Sequence, residues 1–478
     1  MTAPMQELWR FSWIELARAR IAWVTLACLA LAAAAASSSA MREVATTERA
    51  IASAQELAAS TLAAQQQQGE AILAGHRPRP AYWLNPADVR GFGYYEMVTF
   101  AVKPTLPAAA LSVGSLDVLP SYVRVRANSA QPFTQAYELD NPHQLVLGRF
   151  DPAFVVIYVL PLMLIALGHD VLARERAGSR LALLVLHGVT PARLVATRLA
   201  IVFVAASSAC LLPALALQSF ADAFDAARAG LWGLVALSYA AVWTGAIGVI
   251  VSVARRRAAA AAALGALWVT MTLIVPWLLA ATAEWLFPSP SRVEQILHER
   301  AAVDAIEAGG AAAIDRYVSE HPEMELASAP PDFYTAQQIA LNAAIEGAMT
   351  ASDTVLGTQL DQRQRLIDRL SWLAPGVLAA EAMVDLGGTG WSRHRAFLQQ
   401  GRAYVAALRG YFDPKALGGA FEFRGWQDWP RFEWREPPLG PAAARAAWTV
   451  IALSVLAIGL CALARYRLGR TEASRSMP

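Results

Sequence analysis

The chain is predicted to be a mainly α membrane protein. It has six transmembrane helices, an amino-terminal amphipathic elbow helix and an α-rich (α+β) extracytoplasmic domain built from two insertions. Three observations predict this. Of 478 residues, 56% are hydrophobic and 16% charged, which is not how a soluble chain of that length reads. Six segments reach or approach the roughly 20 apolar residues that cross a bilayer: 21–40, 153–169, 194–217, 231–253, 258–287 and 443–464. Finally, the arginine clusters agree on one orientation, because cationic segments resist translocation.

The elements follow in order. Residues 1–20 alternate Leu8, Trp9, Phe11, Trp13, Ile14 and Leu16 with Glu7, Arg10, Glu15 and Arg18, the pattern of a helix lying on a membrane surface. A cleaved signal peptide competes, since Ala36 to Ala40 are small residues after an apolar run, but the preceding segment is long and amphipathic. Arg10, Arg18 and Arg20, then Arg174, Arg176, Arg180 and Arg193, then Arg255 to Arg257, then Arg465, Arg467 and Arg470 all fall on one side if there are six spans. Both termini, the loop 170–193 and the tail 465–478 are then cytoplasmic, and 41–152 and 288–442 lie outside.

The first outside insertion opens with an Ala-, Gln- and Glu-rich stretch, 41–75, which predicts a helical stalk continuing the first span. From Pro78 it turns to Pro, Gly, Tyr and short β-like pieces such as Tyr122 to Arg126. The second insertion predicts helices at 291–308, 333–370, 377–386 and 392–410. An aromatic run, Phe421, Phe423, Trp426, Trp429, Phe432 and Trp434, precedes the last span and reads as an interfacial belt with local packing.

Several functions are excluded or disfavoured. A net charge of +2 argues against a broad nucleic-acid face. The only lysines, Lys103 and Lys415, precede Pro104 and Ala416, so no P-loop exists. Cys28, Cys210 and Cys461 lie in apolar runs without CxxC spacing. His298 and Glu299 start like a zincin helix but lack the second His. His169 and Asp170 close the second span as ordinary interface residues. Glu284 is the candidate pathway carboxylate, set against an interfacial placement beside Trp285.

The loop 170–193 is the most informative stretch. Arg174, Glu175 and Arg176 are followed by a turn at Gly178, a short apolar helix with Leu181, Leu183, Leu184 and Leu186, and a break at Gly188 to Pro191. Physically it is a helix that a partner protein can grip. Glu175, Arg176, Gly178 and Ser179, with the leucine-rich helix behind them, resemble the Glu-Arg-x-x-Gly-Thr/Ser loop and coupling helix of ABC-2 type transporter permeases. Motifs at Gly114 to Pro120, Asn141-Pro142, Gly148 to Asp151, Tyr158 to Pro161, Ser371 to Pro375, His394 to Phe397 and Tyr411 to Pro414 resemble a subgroup with large insertions after the first and fifth spans. That subgroup is similar to the nitrous-oxide reductase maturation permease.

The resemblance implies a bacterial inner-membrane permease with Arg174, Glu175, Arg176, Gly178, Ser179, Leu181, Leu183, Leu184 and Leu186 in the ATPase-coupling role. It implies a separate dimer of ABC ATPase subunits carrying the ATP and Mg, with no cofactor and no catalysis on this chain. A second permease chain, identical or paralogous, membrane lipid and a periplasmic partner complete the expected set, with no nucleic acid. The competing expectation is a membrane-anchored scaffold whose outside domain holds a periplasmic protein.

Overall fold

The computed structural model describes residues 3–116, 119–129, 150–177, 180–219, 224–288, 297, 300–301, 303–305, 308–309, 311–320, 333–419 and 421–473. Six helices among them are long and apolar enough to cross a membrane: Arg20–Leu73, Pro152–Arg176, Pro191–Gln218, Ala226–Val253, Arg257–Leu286 and Gly440–Arg470, hereafter spans one to six. The chain is mainly helical, and the sheet among the described residues is one antiparallel pair. In it, β1 (Thr99–Val102) faces β2 (Tyr122–Val125), with Thr99 opposite Val125.

Span one runs unbroken for 54 residues, about 80 Å at 1.5 Å per residue. It contains no proline, and its Ala-, Gln- and Glu-rich second half favours helix without needing burial. The small residues Ala36, Ser37 and Ala40 sit inside this helix and are buried. Gly75, with φ of 76°, follows its end, a left-handed conformation that costs glycine little. Near that end Gly69 lets the Trp426 ring lie against the helix, where any Cβ would collide with it.

In two of the spans that carry a proline, the helix widens just before it. A π-helical turn covers Val155–Val159 ahead of Pro161, and another covers Thr270–Ile274 ahead of Pro276. Proline lacks an N–H and crowds the carbonyl four residues back, and the wider turn relieves that crowding. The carbonyl released by Pro161 belongs to Ile157, and the Tyr239 hydroxyl of span four donates to it at 3.1 Å. The neighbouring Tyr158 carbonyl accepts the Trp268 indole N–H at 3.2 Å. Apolar surroundings oblige every freed backbone group to find such a donor.

Spans four and six approach closely because Gly245 and Gly248 leave room. A Cβ on Gly245 would stand 2.8 Å from Leu460 Cβ, and one on Gly248 3.3 Å from Ala464 Cβ, the small-residue contact that helices use in apolar settings.

The second domain is made jointly by the two long insertions. Phe423 N–H donates to the Ala87 carbonyl and Val89 N–H to the Phe421 carbonyl, both at 2.8 Å. Its core joins Phe92, Tyr94 and Val125 of the first insertion to Phe397, Leu408, Phe412 and Trp426 of the second. The local packing expected of the aromatic run is seen here: Phe423, Trp426 and Trp429 are buried in this core, with Phe92 and Phe423 stacked at 4.7 Å, and Phe421, Phe432 and Trp434 pack partly buried against it. The segment is irregular, so its apolar side chains need not share one face and can turn into the domain.

A helix of this domain, Pro375–Gly387, packs against spans four and six and belongs to the same core cluster as the spans. Arg228 donates to the Leu386 carbonyl at 3.0 Å, and Trp232 to Ser112 Oγ at 3.2 Å. The long helix Phe333–Leu370 and the helix Trp391–Leu417 lie beyond it. Replacing Tyr239 by Phe leaves the Ile157 carbonyl without its donor, and we expect a loss of about 1 kcal/mol, read as a lower thermal midpoint of the detergent-solubilised chain.

Candidate functional site

At the end of the bundle away from the second domain, the amino-terminal helix Ala3–Arg18 meets spans two and three. Arg198, about two turns inside span three, is only 7% exposed. Its guanidinium contacts Glu15 of the amino-terminal helix at 2.5 Å and Glu175 at 2.9 Å, and donates to the Val171 carbonyl at 3.1 Å. Glu175 is itself 2% exposed. Both carboxylates thus neutralise one buried cation, and removing that cation would strand Glu175, a loss of about 3–5 kcal/mol for a broken buried pair.

The flanking arginines are also held within the chain. Arg174 pairs with Asp170 at 2.8 Å and with Glu15 at 3.3 Å. Arg176 donates to the Ala254 carbonyl at 3.0 Å, which ties the loop to the connection between spans four and five. Gly178 and Ser179 lie outside the described residues. The short helix Arg180–Leu186 follows, with Leu181 buried and Leu184 partly buried against the bundle. Leu183 and Leu186, by contrast, are 59% and 82% exposed, and Val185 is exposed between them. Gly188, with φ of 78°, and the Thr190 hydroxyl, which accepts from Arg193 N–H, turn the chain into span three.

The helix therefore has a leucine face fixed to the bundle and an apolar face turned outward. The sequence reading missed Arg198 and Glu15, which complete the network. A signal was present, since Arg198 is the one charged residue of the segment 194–217, and an ionisable group inside an apolar span needs a partner.

Glu284 lies elsewhere. Its carboxylate is 64% exposed and pairs at 2.7 Å with Arg363 of the helix Phe333–Leu370, while Arg363 Nε also donates to the Phe287 carbonyl. In this position it links the end of span five to the second domain.

Within the second domain, Lys103 and His394 are buried side by side, with Nζ 3.4 Å from Nδ1 and the ammonium position over the Phe397 ring. Burial, with Arg393 nearby, pushes Lys103 down to about 7 despite the opposing Glu436. Burial and Lys103 push His394 down to about 3. Arg393 is the charged anchor of this region, held by Glu436 through Nε at 2.8 Å and Nη2 at 2.6 Å. Among the described residues no group of three or more His, Cys, Asp or Glu side chains is placed to hold a metal.

Residues 292–435 match a family model described as a domain of unknown function, DUF3526. No curated protein and no solved structure matches the chain. The matched segment carries most of the second insertion, including His394, the Arg393 anchor and the buried aromatic run.

Lys103 gives the second domain a characteristic pH response. Because its folded pKa lies below the unfolded value, the unfolded chain binds the extra proton between about pH 7 and 10.5, so stability rises with pH across that window. His394 acts the same way lower down, with stability falling as pH drops from about 6.5 toward 3. We expect Lys103→Met to raise the thermal midpoint at pH 7 and to flatten its rise toward pH 10. A pH series of melting curves on the full chain checks this.

Proposed function

We propose that the chain is the permease subunit of an ABC-2 type ATP-driven transporter. In this reading it lies in the bacterial inner membrane with both termini cytoplasmic, and the second domain is extracytoplasmic. The observation that carries the proposal is the short helix Arg180–Leu186, held to the bundle on one face and presenting Leu183, Val185 and Leu186 outward on the other. An exposed row of large apolar side chains at a loop is costly in water unless a partner covers it. A groove on an ATP-binding subunit is the partner proposed to cover it.

The mechanism follows from how the helix is anchored. ATP binding and hydrolysis, with Mg, occur on a separate pair of ATPase subunits, whose closure displaces the docked helices. Glu175 and Arg176, just ahead of the helix, connect that displacement to span three through Arg198 and to the span four to five connection through Ala254. Glu15 brings the amino-terminal helix into the same unit. ATP drives a conformational change only to the extent that it binds one state more tightly than the other, and ion pairs that hold Glu175 to span three are suited to carry that difference between subunits. A second permease chain is proposed to complete the pathway.

Affinity purification of the full chain from its native membrane tests the proposal. We expect an ABC ATPase to co-purify with the wild type and to be lost from Leu186→Asp, which leaves the buried Leu181 face intact and the thermal midpoint unchanged. Glu175→Ala is expected to lower both stability and ATPase recovery. Recovery of an extracytoplasmic protein alone, unaffected by Leu186→Asp, would overturn the reading in favour of a membrane-anchored scaffold.

A further inference from the structure

The second domain contains a groove of about 820 Å³ between span one beyond its apolar half and the rest of the domain. One wall is a single helix face, Ile51, Gln55, Ala58, Ala59, Leu62 and Ala63. The opposite wall is formed by β1 and by the aromatic segment with Trp429, Phe432 and Trp434. Gln66 and Gln427 close one end by hydrogen bonding to each other at 2.9 Å.

The groove is bounded by an open sheet edge. Lys103 N–H donates to the Ser121 carbonyl at 2.7 Å, and the register places Ala101 and Thr99 in the same hydrogen-bonded set opposite Val123 and Val125. The amides and carbonyls of Phe100 and Val102 therefore point away from β2, toward the other edge. Among the described residues the pair has no third strand, and no hydrogen bond reaches the main chain of Val98, Phe100 or Val102. Those three residues also line the groove.

Charge narrows the occupant further. Arg431 is the one ionisable residue in the lining. Its guanidinium is stacked 3.9 Å over the Trp429 ring and donates to the Trp426 carbonyl, which fixes a cation at a groove whose lining, among the described residues, holds no carboxylate. A lipid chain would leave the main-chain groups of the edge unpaired, and a sugar has no reason to match their two-residue period. An extended peptide satisfies both.

We propose that this groove binds an extended peptide as a third strand on β1, with a carboxylate of the peptide at Arg431. Aromatic or branched side chains at alternate positions pack between the alanine face of the helix and Phe432 and Trp434. The site rests on the proposed function only for the side of the membrane on which the peptide is met. The groove itself is tested without any ATPase.

The experiment pans a random octapeptide library with free carboxyl ends on the full chain in lipid nanodiscs. Enriched peptides are then synthesised with a fluorescein label and titrated by polarisation. We expect alternating apolar and β-branched sequences with an acidic or terminal carboxylate. Ala59 is exposed on the helix, so Ala59→Trp fills the groove without burying a new group and weakens binding about tenfold or more. Arg431→Gln removes the preference for acid while keeping binding of the apolar pattern. N-methylation of alternate peptide nitrogens abolishes binding in one register and spares it in the other, a response that a merely greasy cleft does not give. Failure to enrich any peptide would overturn the proposal. So would peptides that bind Ala59→Trp and both N-methylated series as well as the wild type and unmodified peptide.

Discussion

One buried arginine organises the end of the bundle on which the proposed function depends. Arg198 stands in an otherwise apolar helix, where an uncompensated charge carries a large desolvation penalty. Two carboxylates from different parts of the chain, Glu15 and Glu175, meet it there. The amino-terminal helix, the end of span two and span three are consequently held as one unit. Apolar packing alone would let these elements slide, because it has no direction. An ion pair supplemented by the Val171 carbonyl sets both distance and orientation.

The same need to satisfy polar groups shapes the interior of the bundle. Pro161 and Pro276 each disturb the backbone ladder, and the disturbance is absorbed by π-helical turns. At Ile157 the released carbonyl becomes an attachment point for Tyr239 of another span. A local defect in one helix thereby specifies which neighbour packs against it. Gly245 and Gly248 do the complementary work on span four, bringing span six close by removing side-chain bulk.

Span one connects the two halves of the molecule. Its first half packs in the bundle through Leu29, Ala33 and Ala36, and its second half forms a wall of the groove and contacts Trp426 through Gly69. The helix Pro375–Gly387 makes a second connection by sharing a core with the spans. Neither link is a flexible tether, so the position of the second domain is tied to that of the bundle by packed side chains.

Features that depend on local composition and period could be read directly from the order of residues. Six apolar runs, the long helical continuation of the first of them, the short leucine helix after Glu175 and the helices around 333–370, 377–386 and 392–410 were legible, because helix formation and apolar length are written in contiguous residues. The strand at Tyr122 was legible for the same reason. Which distant groups meet is visible only in the folded chain. The strand Thr99–Val102 is set by its pairing with Tyr122–Val125, and the burial of Phe423, Trp426 and Trp429 comes with the pairing of residues near 90 with residues near 420, and no local pattern encodes such pairings. Arg198 could be seen as an anomalous charge, but Glu15 and Glu175 as its partners could not, since 183 and 23 residues separate them in the chain. Long-range neutralisation of a buried charge is a property of the folded arrangement, and that arrangement turned a string of loop charges into an anchored helix.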